Sequence, residues 1–202
     1  MLGYYAAEYI GHDVTEFHVD ACIIEDILRR LGTGENVRNC EARMRCRDGS
    51  IKHVLIDSSA LWENGRFIHT RCFTRDITEQ KRAEETQLRL AALVESSEDA
   101  IIGKDLNGTI TSWNRGAAAL YGYTAEEIIG KTVSMLIPPD HQDDFPIIME
   151  RLRRGERIEH YETVRLCKDG RRVNVALTVS PIRTPDGEIQ GASKIARDIT
   201  PR

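Results

Sequence analysis

The sequence lacks the features that mark a membrane or secreted protein. Its 202 residues contain no run that approaches the roughly 18 apolar residues needed to span a bilayer. The N-terminus, MLGYYAAEYIGHD, has no basic region followed by an apolar stretch, so a signal peptide is not expected. We therefore expect a cytoplasmic chain of one or two domains without a membrane span.

Charge and residue spacing argue against a nucleic-acid-binding protein, a metalloprotein and an enzyme. The formal net charge is −4, and this disfavours nucleic acid as a partner because phosphate binding needs a basic surface. The five cysteines and six histidines show no CxxC, HxxxH or HExxH spacing, so we expect free thiols and no metal. No nucleophile, base and orienting group are spaced as catalysis requires, and the chain is not expected to be an enzyme.

The sequence does contain an internal repeat. Three blocks recur in the same order: LGYYAAEYIGHDV at 2–14 and YGYTAEEIIGKTV at 121–133, ARMRCRDGSIKHVLIDSS at 42–59 and TVRLCKDGRRVNVALTVS at 163–180, FTRDIT at 73–78 and IARDIT at 195–200. The spacing between the copies is nearly constant. We infer two copies of one domain of about a hundred residues, which is a usual domain size.

The first copy is incomplete. Residues 98–119 have no counterpart, because the first copy would need them before Met1. We therefore predict a partial domain at 1–78 that lacks its first two strands, a helical linker at 79–97 and a complete domain at 98–202. A trimmed chain explains the missing strands better than a natural half-domain does.

The complete copy reads as an α+β domain with one core. Alternating and apolar segments predict strands over 100–105 and 109–114, and three more strands after a helix over 143–155. Helices and a sheet in this order pack one apolar face against the other. The linker has no proline or glycine and a partial apolar stripe, which favours a helix that pairs with a second copy as a short coiled coil.

These segments resemble the PAS sensor family in its S-box form. The matching features are DLNGTITSWNRGAAALYGYTAEEIIGK, the loop LIPPDHQ, the segment TPDGEIQGASKIARDIT and, in the first copy, LGYYAAEYIGH and a second DIT triplet. The resemblance implies a five-stranded antiparallel sheet of order 2-1-5-4-3 with helices on one face enclosing a pocket. The truncated copy would then have an open sheet edge, which invites pairing with another chain.

The resemblance implies a sensing and dimerisation or relay module of a bacterial signalling protein, such as a sensor histidine kinase. The alternative is a ligand-free protein–protein interaction module of a cyclic-di-nucleotide enzyme or transcription regulator. In either case we expect an output domain outside this chain. We also expect a homodimer, formed through the linker helix or the open sheet edge.

Two interpretations are open for the interior of the second copy. It is either a ligand pocket or a closely packed core. Trp113 and Asn114 are the most suggestive pair for a ligand, although Trp113 also fits a core position and Asn114 a helix cap. The candidate lining residues are Trp113, Asn114, Tyr121, Met135, Phe145, Ile148, Met149, Leu152, Val175, Leu177, Val179 and Ile195.

The cofactor, if there is one, is not identified by the sequence. Haem-binding relatives use a histidine on the long helix, where the resemblance places Phe145, and His141 reads as a loop histidine. A photoreactive flavin domain needs an Asn-Cys-Arg-Phe type motif, whereas Asn39-Cys40 is followed by Glu41-Ala42. Both haem and a cysteine-adduct flavin are therefore disfavoured.

The two DIT triplets resemble the output junction of the family. An aspartate there can bind a basic partner, and a threonine can cap the helix that follows. We expect Asp76, Thr78, Asp198 and Thr200 to connect the last strand of each copy to the helix that leaves it.

Overall fold

The computed structural model describes residues 1–141 and 144–200. The chain divides into two compact units, with the boundary between Leu88 and Arg89. This boundary falls inside a long helix over Thr78–Glu95. The helix lies within the segment predicted as a linker, apart from its first residue.

The first unit is a short α+β arrangement with a three-stranded sheet. Its elements are α1 (Ala6–Tyr9), α2 (Ala21–Gly32), β1 (Val37–Arg45), β2 (Ile51–Glu63), β3 (Arg66–Asp76) and the start of α3 (Thr78–Glu95). The strands are antiparallel in the order β1-β2-β3. Ile24, Ile27 and Leu31 follow helical spacing on α2, and they form one buried cluster with Val54 and Ile56 of β2.

Strand β3 lies at the edge of this sheet. Among the described residues it pairs only with β2, and almost all of its side chains are exposed. Phe73 is 68% exposed, which is unusual for a large aromatic side chain. This is the open edge expected for a copy whose first two strands are missing.

The second unit has the complete set of elements. They are β4 (Ala100–Asp105), β5 (Ile110–Trp113), α4 (Arg115–Tyr121), α5 (Ala125–Ile128), α6 (Asp144–Arg153), β6 (Ile158–Leu166), β7 (Arg172–Arg183) and β8 (Ile189–Asp198). The sheet is antiparallel in the order β5-β4-β8-β7-β6. This is the predicted 2-1-5-4-3 order, so the α+β architecture is confirmed. Asp143 in the predicted long helix, and residues 201 and 202 of the predicted domain, lie outside the described residues.

One face of the five-stranded sheet forms the core with the helices. Val175, Leu177 and Val179 alternate along β7 and are buried. They cluster with Tyr121 of α4 and Leu152 of α6. The helices therefore cover a single face of the sheet, and any internal site of this unit lies between that face and the helices.

Candidate functional site

The polar groups of Trp113 and Asn114 are already bonded to the protein. The Trp113 Nε1 donates to the carbonyl oxygen of Tyr123 at 3.0 Å. The Asn114 Oδ1 accepts from the backbone nitrogens of Ile101 at 2.8 Å and Ala117 at 2.9 Å. Its Nδ2 donates to the carbonyl oxygen of Val94 at 2.9 Å. These contacts fit the core and cap interpretation, in which Asn114 ties α4 to β4 and to the end of α3.

Most of the other candidate lining residues lie together in the second core. Tyr121, Ile148, Met149, Leu152, Val175, Leu177 and Val179 are buried in one cluster, and Met135 and Phe145 pack against it, partly buried. Ile195 differs from the prediction, because it is 38% exposed on the outer face of β8. The inward positions of that strand are Ala192, Lys194 and Ala196, and Ile195 has the opposite parity.

The space inside this core is small. Lys104, Val133, Phe145, Ile148, Leu177 and Val179 are among the residues that line a cavity of about 10 Å³. That is near the minimum volume for one water molecule. The second unit is therefore closely packed in this conformation, and a ligand larger than water would need Phe145 or a neighbouring side chain to move.

Three cationic side chains line the same cavity, and none of them was predicted. Lys104 on β4, Arg165 on β6 and Lys194 on β8 are 4%, 1% and 3% exposed. Lys104 lies two residues after buried Ile102, and Lys194 lies two residues before buried Ala196. Strand parity could have identified them. A search restricted to apolar residues could not, because lysine and arginine are almost never fully buried unless they are paired.

The two lysines are neighbours on adjacent strands. Lys104 pairs with Ala192 and Lys194 pairs with Ile102, so the lysines are diagonal neighbours, about 7–8 Å apart in such a ladder. Among the described residues no carboxylate forms an ion pair with either of them. The Nζ of Lys194 lies 5.5 Å from the ring centroid of Tyr121, and the Nζ of Lys104 lies 5.5 Å from that of Phe145.

Burial lowers the pKa of both lysines. For Lys104, burial and then the charge of Arg165 lower the pKa to about 8. For Lys194, burial and the charges of Arg165 and Lys104 hold the pKa well below its usual value. Arg165 donates from Nη1 to the Thr163 Oγ1 at 3.0 Å and to the Val164 carbonyl oxygen at 2.7 Å. The cavity is therefore lined by three cationic side chains, and each of the two lysine Nζ atoms lies near an aromatic ring.

Tyr121 is a second unusual polar group of this core. Its side chain is fully buried, and its hydroxyl has no hydrogen-bond partner among the described residues. Burial raises the pKa of Tyr121, so the hydroxyl keeps its proton. The Tyr121 ring, whose centroid lies 5.5 Å from the Lys194 Nζ, thus carries a hydroxyl that forms no hydrogen bond with the described residues.

The remaining cofactor candidates are placed as follows. His141 is partly exposed in a 3₁₀ turn, with its Nε2 3.9 Å from Asp140. Cys40 lies on β1, and Cys167 is buried with its Sγ donating to the Leu120 carbonyl oxygen at 3.2 Å. Burial raises the pKa of the Cys40 and Cys167 thiols, which disfavours the reactive thiolate. Within the described ranges, no three His, Cys, Asp or Glu side chains are grouped as metal ligands would be.

The first DIT triplet connects β3 to β2 and to α3. The backbone nitrogen of Ile77 donates to the His53 carbonyl oxygen at 2.9 Å, and the nitrogen of His53 donates to the Thr78 Oγ1 at 3.0 Å. The Asp76 Oδ1 accepts from the nitrogen of Thr78 at 3.0 Å and from its hydroxyl at 2.6 Å. Lys52 bonds the other oxygen of Asp76 at 2.5 Å. Lys52 and Thr78 together lower the pKa of Asp76.

The second DIT triplet repeats this geometry. The nitrogen of Ile199 donates to the Asn174 carbonyl oxygen at 2.9 Å. The nitrogen of Asn174 donates to the Thr200 Oγ1 at 3.0 Å, and the nitrogen of Thr200 donates to the Asp198 Oδ1 at 2.9 Å. In both units the triplet therefore connects the end of the last strand to the neighbouring strand by hydrogen bonds.

Family models match both units. The model described as the PAS fold matches residues 88–199, and a model described as a PAS domain matches residues 1–79. The first match covers more than half of the chain, and the chain belongs to the PAS family. The predicted tandem of PAS domains is confirmed. No helix in the described parts of the chain has the length and apolar character of a membrane span.

Three curated relatives are signalling proteins. Two-component system protein A of Emericella nidulans is 40% identical over 114 residues, or 54% of this chain. The signal transduction histidine-protein kinase AtoS of Escherichia coli is 29% identical over 118 residues, or 58% of this chain. The probable diguanylate cyclase DgcE of Escherichia coli is 25% identical over 184 residues, or 87% of this chain. The matched parts cover 16%, 19% and 16% of these relatives.

Two solved structures have the fold of the second unit. The PAS domain of a protein from Colwellia psychrerythraea is 33% identical, with a TM-score of 0.53, and the match covers 58% of this chain and 99% of that one. The PAS domain of an HTR-like protein from Haloarcula marismortui is 28% identical, with a TM-score of 0.53. This match covers 60% of this chain and 98% of that one. The chain is a PAS signal-sensing module.

Proposed function

We propose that the chain is the sensing and relay segment of a sensor histidine kinase. The observation that supports this is the DIT junction, whose three backbone and side-chain contacts recur in both units. In the first unit the junction leads directly into α3, which begins at Thr78. A junction of this kind passes a change in the sheet to the helix that leaves the domain.

The contacts of the first junction give this relay a physical form. Thr78 is both the first residue of α3 and the acceptor for the backbone nitrogen of His53 on β2. Asp76 holds the Thr78 hydroxyl in place, so β2, β3 and the helix start share one hydrogen-bonded network. Displacement of β3 along β2 then changes the position of the first turn of α3. Such coupling requires two states that differ in these contacts.

Hydrogen exchange in the 202-residue chain tests the relay. Asp76→Ala removes the network, and we expect faster exchange of the amides in the first turns of α3. Asp48→Ala is a matched control, because Asp48 accepts from the Ser50 nitrogen at 2.9 Å and hydroxyl at 2.6 Å and forms no hydrogen bond with α3 among the described residues. Equal exchange of α3 in the two variants would refute the relay.

A second candidate for the whole protein is a diguanylate cyclase. DgcE supports it, because its match extends over both units, whereas the AtoS match covers little more than half of the chain. The two candidates differ in output chemistry. Autophosphorylation by the full-length protein with ATP, altered by Asp76→Ala and not by Asp48→Ala, supports the kinase. Formation of a cyclic dinucleotide from GTP supports the cyclase instead.

We also propose that α3 pairs with α3 of a second copy. Leu90 and Leu93 are 58% and 59% exposed and lie on one side of the helix, while Leu88 projects from the opposite side at 100° per residue. The double variant Leu90→Glu, Leu93→Glu should be monomeric by sedimentation, and Leu88→Glu should remain dimeric. If both variants and the unmodified chain are dimers, the dimer forms elsewhere, and the open edge of β3 is the next surface to test. If the unmodified chain is a monomer, the pairing of α3 is refuted.

A further inference from the structure

We propose that the second unit binds a short-chain carboxylate, held between Lys104 and Lys194 with its alkyl chain against the apolar wall of the core. This inference rests on the proposed sensing function and names the class of ligand for it. It follows from the two buried lysines, for which no carboxylate partner lies among the described residues, and from the apolar residues that surround them.

The charge of the site selects an anion. Lys104, Arg165 and Lys194 approach one small cavity from three different strands, and each ammonium group lies next to an aromatic ring. An aromatic face compensates a buried charge only in part, whereas a carboxylate oxygen forms a charge-assisted hydrogen bond with an ammonium group.

The walls of the site select a short alkyl chain. Val133, Ile148, Leu177 and Val179 line the cavity together with the cations. A polyanion such as a nucleotide would leave charged groups against these side chains at a high desolvation cost. A monocarboxylate of a few carbon atoms places one charge near the lysines and apolar atoms against the wall.

Binding of this ligand requires Phe145 to move. The cavity has a volume of about 10 Å³, and the Phe145 ring lies so close to Gly108 that a Cβ there would be 2.6 Å from its Cζ. The ring also covers the ammonium of Lys104. Exchange of this ring for a carboxylate therefore moves the Phe145 side chain in the first turn of α6, so that the occupied and empty states differ in structure as well as in charge.

Calorimetry on the 202-residue chain tests the proposal with butyrate as the probe. Butyramide has nearly the same shape without the charge, and sodium chloride at equal ionic strength controls for screening. We expect saturable butyrate binding, no butyramide binding, and affinity at least about thirtyfold lower in Lys104→Met and in Lys194→Met, as for loss of one member of a buried charge pair. Lys131→Met, at an exposed lysine, should bind as the unmodified chain does.

Four outcomes would overturn the proposal. These are no binding of butyrate, equal binding of butyramide, equal heat from chloride, and unchanged affinity in Lys104→Met and Lys194→Met. Loss of binding in Lys131→Met would also count against it, because it would indicate a general charge effect. The exchange experiment on Asp76→Ala uses no ligand. A lack of butyrate binding therefore does not contradict the relay. Equal exchange of α3 in Asp76→Ala and Asp48→Ala likewise does not contradict butyrate binding.

Discussion

Replacement of Lys104 by methionine should stabilise the second unit at neutral pH. Lys104 is 4% exposed, and burial lowers its pKa to about 8 from 10.5. One pKa unit corresponds to about 1.4 kcal/mol, so burying this ammonium group costs the folded state about 3 kcal/mol at pH 7. Methionine has a similar length and no charge, and it is expected to remove this cost in the apolar surroundings of the cavity.

The stabilisation should depend on pH in a defined direction. Below pH 8, Lys104 is protonated in both the folded and the unfolded chain, and the full free-energy cost of burying its ammonium group is present. Between about pH 8 and 10.5 the folded chain releases the proton first, so the unfolded chain binds more protons and stability rises with pH. The difference between the two chains should therefore be near 3 kcal/mol at pH 7 and close to zero above pH 10.5.

The two tryptophans allow the second unit to be followed separately. Trp113 is buried in the second core and Trp62 lies in the first unit. In a Trp62→Phe background, urea unfolding followed by fluorescence reports on Trp113 alone, which avoids a two-state analysis of a two-domain chain. Lys131→Met is the control for a lost surface charge. A stability difference between Lys104→Met and its parent that does not change from pH 7 to 10.5 would refute the reasoning.

Two further predictions use the same fluorescence assay. Tyr121→Phe removes a buried hydroxyl that has no hydrogen-bond partner among the described residues, and stability should rise by about 1 kcal/mol; a clear loss would indicate a partner for the hydroxyl. Asn114→Ala removes the cap of α4 and the amide contacts to α3 and β4, and stability should fall by about 3 kcal/mol or more. Ser112→Ala, which removes one hydrogen bond to Gly103, should cost about 1 kcal/mol and is the control for Asn114→Ala.

The repeat was predictable because its blocks recur in the same order along the sequence, whereas the strand order came from the resemblance to the PAS family. The DIT triplets fix the ends of β3 and β8, and the turn residues before β2 and β7 fix the hairpins. Thr124 followed three residues later by Glu127 is the sequence pattern of a capping box, and the structure has this box at the start of α5. Each of these signals involves residue types whose local geometry leaves few alternatives.

The inward residues of β8 could not be predicted from hydrophobicity. The segment ASKIARD offers Ile195 as its only large apolar residue, and an apolar criterion selects it for the core. The structure instead buries Ala192, Lys194 and Ala196, because the partner strands β4 and β7 determine the parity of β8. Small alanines leave room on this face, and the aliphatic stem of Lys194 occupies it.

The buried lysines and the DIT junction are connected through β8. Lys194 lines the cavity, and Asp198, four residues later on the same strand, begins the junction. At about 3.3 Å per residue the two are separated by roughly 13 Å of extended chain. Because β8 is hydrogen-bonded to both β4 and β7, a displacement at Lys194 is shared with these two strands. Under the proposed relay, neutralisation of the lysine charge, whether by an anion or by loss of a proton, acts on the strand whose end holds the DIT junction.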